Sequence, residues 1–215
     1  MIGLLRKELY GLNALYKKTL VMVALLYGAL VFFTNNDFFI YFGIFVMIFY
    51  SISNLSLDDA SGWGRYARTL PVSDFQVVCA KFLVSILYLL GGTSYGLLLG
   101  VLRRMFKQEG DLQALCFAVG VVTLVSLLIV SFFYPVALKF GVEKARNGIF
   151  VLWILIFGGF MLLGDRLEKL LPLEQVVTSF NTHPYLWLLG FACVVLAALL
   201  LCLVVSCRIY QNKEF

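Results

Sequence analysis

Few residues in this chain could do chemistry, and the chemistry they offer is docking rather than bond-making. The richest stretch is 58–81, DDASGWGRYARTLPVSDFQVVCAK. Asp58, Asp59 and Ser61 offer side-chain acceptors for a helix start. Trp63, Tyr66, Ala67 and Leu70 recur at i, i+3, i+4 and i+7, which predicts a short amphipathic helix with Arg65 and Arg68 off the stripe. Pro71 stops it, because the residue before a proline avoids the helical region. Ser73 with Gln76 predicts a capping box that opens the next helix. Such an aromatic face can sit as a belt at the level of lipid headgroups, or fit a groove on a partner protein. Spacing alone supports both readings equally.

Catalytic constellations are missing. His183 is the only histidine; it sits beside Pro184 with no Ser or Asp clearly paired to it. Cys79, Cys116, Cys193, Cys202 and Cys207 all lie in apolar runs without CxxC spacing, so they read as small buried hydrophobes. No metal site is expected. No glycine is followed directly by lysine, so the chain has no phosphate loop and should not hydrolyse ATP itself. Ion-driven carriers hold acidic groups or His deep in the membrane. Here the centres of the apolar runs read as free of charge.

The elements that position the 58–81 segment follow from composition. The chain has 215 residues, 62% hydrophobic and only 13% charged, against about 45–50% apolar in soluble domains. Bilayer solvent removes the problem of hiding so much apolar surface. Six runs approach the roughly 20 residues needed to span: 19–33, 38–57, 77–102, 112–138, 148–164 and 185–207. Six spans put both ends on one side. Of the 17 basic residues, 12 fall in the ends and in the second and fourth loops, which assigns that side to the cytoplasm. The third loop, with Arg103, Arg104 and Lys107, runs against this vote. The net charge of +5 reads as orientation, not as a nucleic-acid surface.

Residues 1–18 form a separate amphipathic unit in this reading. Ile2, Leu5, Leu9, Leu12 and Tyr16 share one helical face, expected to rest in the cytoplasmic interface ahead of a six-helix domain over 19–215. The unit serves either as a plain anchor or in partner docking. The polar turn at 34–37 makes a hairpin of the first two spans. Gly92, Gly96 and Gly100 make a flat strip on the third span, for packing within the chain or at a seam between two copies. Pro135 is placed to kink the fourth span. The outer loop, about 165–184, is apolar enough for a short interfacial or re-entrant helix interrupted at Pro172.

The run from Asp58 to Ser73 resembles the segment between the second and third spans of a bacterial ABC exporter permease family. That family includes the membrane subunits that export phenol-soluble modulin peptides. In it an acidic pair precedes a Trp, an Arg-Tyr and a Leu-Pro-Val-Ser; Asp74 departs from the basic residue usual there. The Lys7-Glu8-Leu9 start is similar too. The resemblance implies an all-α membrane protein of type V exporter architecture, with the helix at about 58–72 as the coupling helix. It implies docking on a separate ATPase subunit through Asp58, Asp59, Trp63, Arg65, Tyr66, Thr69, Leu70 and Pro71. ATP and its Mg²⁺ would be held by that subunit, with no cofactor on this chain. It further implies pairing with a second permease chain. The Phe- and Leu-rich spans favour amphipathic peptides or lipid-like cargo. A non-transporting membrane scaffold or immunity protein, binding its partner through the same helix, is the alternative.

Overall fold

The computed structural model describes residues 2–34, 36–107, 110–148, 151 and 184–213. Among them every regular element is helical: α1 (Ile2–Phe33), α2 (Phe38–Ser61), α3 (Trp63–Ala67), α4 (Asp74–Lys107), α5 (Leu112–Phe140) and α6 (Pro184–Gln211). A further helical run occupies 142–148. The expected fifth span at 148–164 and the loop at 165–184 fall, apart from 148, 151 and 184, outside the described residues.

Five of these helices are long and apolar enough to cross a membrane. The shortest of them, α2, has 24 residues and reaches about 36 Å at 1.5 Å per residue, against a hydrocarbon thickness of about 30 Å. Large apolar side chains such as Met22, Leu25, Leu98, Phe132 and Leu201 stay exposed along their flanks. In lipid that exposure costs nothing.

Of the unit expected over 1–18, residues 2–18 are not a separate interfacial helix. They continue into the first span as one 32-residue helix, because no Gly or Pro interrupts Tyr16–Leu20 and the lysines there are good helix formers. At about 48 Å, α1 is longer than the hydrocarbon, so its first turns extend beyond it. Its buried face is Leu4, Glu8 and Leu12, at i, i+4 and i+8, while Ile2 is 71% exposed. The expected stripe is therefore rotated, and the inward face carries a carboxylate.

The α1–α2 hairpin is closed as anticipated. Asn36 Oδ1 accepts from the Phe38 amide at 3.0 Å, an Asx turn that leads into α2. At the same end Asp37 pairs with Arg104 at 2.9 Å and with Arg103. Two of the three basic residues assigned to the third loop, Arg103 and Arg104, are thereby tied to a carboxylate.

Helix α4 is the hub, packed on α1, α2, α5 and α6. Gly92 and Gly96 lie buried beneath Met47, Ile44 and Ile40 of α2, and Gly100 beneath Leu115 of α5 and Ile40. The glycine strip thus serves close packing within the chain. A Cβ on Gly92 would meet Met47 Cγ at 2.5 Å, whereas one on Gly91 meets open space. Gly92→Val is accordingly expected to cost about 1–3 kcal/mol by overpacking, and Gly91→Val almost nothing by comparison. Thermal unfolding of both variants in the same detergent checks the difference. Two apolar cores result, one around Ile40, Ile44, Leu99 and Leu115, the other around Leu55, Val78, Phe82, Phe133 and Tyr134.

Candidate functional site

The second core surrounds a buried polar network at the end of the bundle that carries the α2–α4 connection. Glu8 of α1 is 1% exposed, Asp58 of α2 8% and Lys81 of α4 3%. Lys81 Nζ donates to Glu8 at 3.2 Å and to the Asp58 carboxylate. Lys7 Nζ donates to Glu8 at 3.3 Å and to the other Asp58 oxygen. Asn54 Nδ2 donates to the second Glu8 oxygen. Two ammonium groups thus face two carboxylates, and the formal charges cancel. Burial of charge is tolerable only with such pairing. Beneath it, the Ser85 and Tyr134 hydroxyls share a hydrogen bond, and Ser85 Oγ donates to the Lys81 carbonyl at 3.0 Å. The network therefore ties α1, α2 and α4, and through Tyr134 reaches α5.

Asp58 and Asp59 do not start the short helix. They lie in the last turn of α2, which runs to Ser61. Gly62 then takes φ 65°, a left-handed turn natural to glycine, and its amide caps α2 on the Asp58 and Asp59 carbonyls. Carboxylates are disfavoured near a helix C-terminus, and the Lys7 and Lys81 cations offset this for Asp58. The expected helix over 63–70 is only Trp63–Ala67. Residues 68–71 follow as turns, with Thr69 Oγ1 donating to the Tyr66 carbonyl at 2.8 Å. The capping box forms: the Gln76 amide donates to Ser73 Oγ at 3.3 Å and the Ser73 amide to Gln76 Oε1 at 3.4 Å.

The expected aromatic stripe divides. Ala67 is buried and Trp63 packs against the second core. The Trp63 ring receives Lys7 Nζ at 4.0 Å from its centroid, a cation–π contact. Its indole Nε1 is buried with no hydrogen-bond partner among the described residues. Tyr66 lies against Trp63, centroids 5.4 Å apart, yet is 57% exposed. Asp59, Arg65, Thr69 and Pro71 are exposed and Leu70 half-buried. Of the predicted docking residues, Asp58 and Trp63 are engaged within the chain. Asp59, Arg65, Tyr66, Thr69 and Pro71 form an outward rim.

Arg68 has a role that its place off the stripe did not suggest. Its guanidinium donates to the carbonyls of Tyr210, Gln211 and Lys213, the last at 2.6 Å. It caps the end of α6 and ties the connection to the C-terminal segment. The connection is thus held at three points, by Lys7 under Trp63, by Arg68 on α6, and by Asp58 in the network.

The helical bundle, its five apolar helices and the polar joint at one end define a multi-pass all-α membrane protein. The chain belongs to the ABC-2 family transporter proteins, whose sequence profile it matches over residues 3–211. It is therefore a permease of the ABC transporter kind, a membrane subunit rather than an ATPase, and permeases of this family work with an ABC ATPase subunit. Comparison with curated proteins gives no match.

Proposed function

We propose that this chain is the membrane subunit of an ATP-driven exporter, with six spans, both termini in the cytoplasm of a bacterial cell and a second permease chain beside it. The α2–α4 connection is its coupling element. The observation that carries this reading is the connection's double character: an exposed rim of Asp59, Arg65 and Tyr66 on a segment keyed by Trp63 and Asp58 into the joint of α1, α2 and α4. A push on the rim is passed to three membrane helices at once, because the joint's ion pairs and hydrogen bonds link α1, α2 and α4 directly. A connection that served only as an interfacial belt would have no need of a buried ionic key.

The cargo in this reading is amphipathic, as for the peptide exporters the sequence resembles. Between the two cores, an apolar groove of about 400 Å³ opens between α1, α2 and α4, lined by Leu9, Leu20, Ala24, Leu87, Tyr88 and Tyr95 among others. Among the described residues no charged side chain lines it, which favours an apolar or amphipathic occupant over a small polar solute. The test is ATP turnover by the permease co-reconstituted with its ATPase subunit. An amphipathic helical peptide is expected to raise turnover several-fold, and a sugar or free amino acid to leave it unchanged. Stimulation by the polar solutes alone would overturn the cargo assignment.

A further inference from the structure

At the end of the bundle that carries the polar joint, a second groove of about 520 Å³ lies between the last turns of α5 and α6. Leu138, Val205 and Ile209 supply an apolar wall; Lys139, Arg208, Asn212 and Lys213 supply the polar part of the lining. Lys139 and Arg208 are exposed and Lys213 is half-buried. Among the described residues Lys139 has no carboxylate within salt-bridge range, and its Nζ sits 5.2 Å from the Phe140 ring centroid. Beyond the groove, α6 presents Leu201, 68% exposed, and Val204, 50% exposed, as an apolar track running into the bilayer.

We infer that this groove is a binding site for an anionic phospholipid, with the phosphate between Lys139 and Arg208 and one acyl chain along Val205 and Leu201. Charge complementarity selects the occupant. Three cations and an amide beside an apolar wall match a phosphate joined to a hydrocarbon chain. A soluble protein could meet the cations but could not follow the wall into the hydrocarbon, because its backbone polar groups would go unsatisfied there. A zwitterionic lipid would set its own cation against Lys139 and Arg208. The site adjoins the α2–α4 connection, whose Arg68 holds the Lys213 carbonyl, but uses none of the rim residues and stands or falls independently of the export reading.

The experiment is native mass spectrometry of the full chain in neutral detergent, titrated with phosphatidylglycerol and, in parallel, phosphatidylcholine. The expected result is one retained phosphatidylglycerol per chain. Affinity should be reduced by roughly tenfold or more in Lys139→Gln with Arg208→Gln, while phosphatidylcholine stays weak in both. Lys17→Gln with Lys18→Gln removes the same charge from α1 and should keep the lipid. Glycerophosphoglycerol, the headgroup without chains, should not displace it; displacement would make this a free-phosphate site. Equal loss in the Lys17/Lys18 variant would reduce the effect to net charge. Retention by the Lys139/Arg208 variant, or a change in its monomer–dimer ratio with lipid binding untouched, would also overturn the inference.

Discussion

Lys81→Met is expected to lower stability by about 3–5 kcal/mol, because it leaves the Glu8 and Asp58 carboxylates buried with only Lys7 between them. For a chain of this size that is a fall in Tm on the order of 10 °C. The substitution nearly preserves shape, so packing contributes little to the change. A paired variant isolates the electrostatic cause. Lys81→Met with Asp58→Asn removes one charge of each sign and leaves Lys7 facing Glu8, and it should recover most of the lost stability. Thermal unfolding of the single and double variants in detergent decides the matter. A single variant as stable as the parent, or a double variant no better than the single, would show that the four groups do not act as one buried network.

The second large effect concerns the rim. Arg65→Glu with Tyr66→Ala is expected to leave folding unchanged, since both side chains point outward, and to break association with the ATPase subunit. Exposed Tyr and Arg residues that become buried at an interface are the residue types that dominate binding, each worth about 2 kcal/mol or more. Losing both corresponds to at least about a hundredfold in affinity at 1.4 kcal/mol per tenfold. Transport-linked ATP turnover should fall with it. Trp63 is the poorer probe even though it is the most conspicuous residue of the segment. Trp63→Ala would also strip the cation–π partner from Lys7 and open a cavity in the second core, so loss of turnover could follow from a loosened joint. Normal co-purification of the ATPase with the Arg65/Tyr66 variant would count against the rim as the docking face.

The bundle was legible because hydropathy and helix punctuation are local properties. The hairpin at 34–37, the capping box at Ser73 and Gln76 and the apolar length of four of the spans follow from neighbouring residues alone. The joint was not legible, because its members come from residues 7–8, 54–58 and 81, and nothing local says that they meet. Two clues were present. Glu8 sits between Leu4 and Leu12 on one helical face, and Lys81 follows Val77 and Val78 on the inward face of α4 with Ser85 one turn on. A charge inside an apolar stripe requires a partner of opposite sign. Treating Asp58 as a helix start concealed the pairing. Arg68 was missed for a related reason: its acceptors are backbone carbonyls at 210–213, and every residue has one.

The account depends on the Arg65–Tyr66 rim lying on the side where ATP is available. The most direct measurement is thiol labelling of Tyr66→Cys, in a variant whose five native cysteines are replaced, with a membrane-impermeant maleimide. The expected result is no labelling in intact cells and full labelling in inside-out vesicles, with protection once the ATPase subunit is bound. Labelling of intact cells from outside would put the rim beyond the reach of any cytoplasmic ATPase and contradict the account.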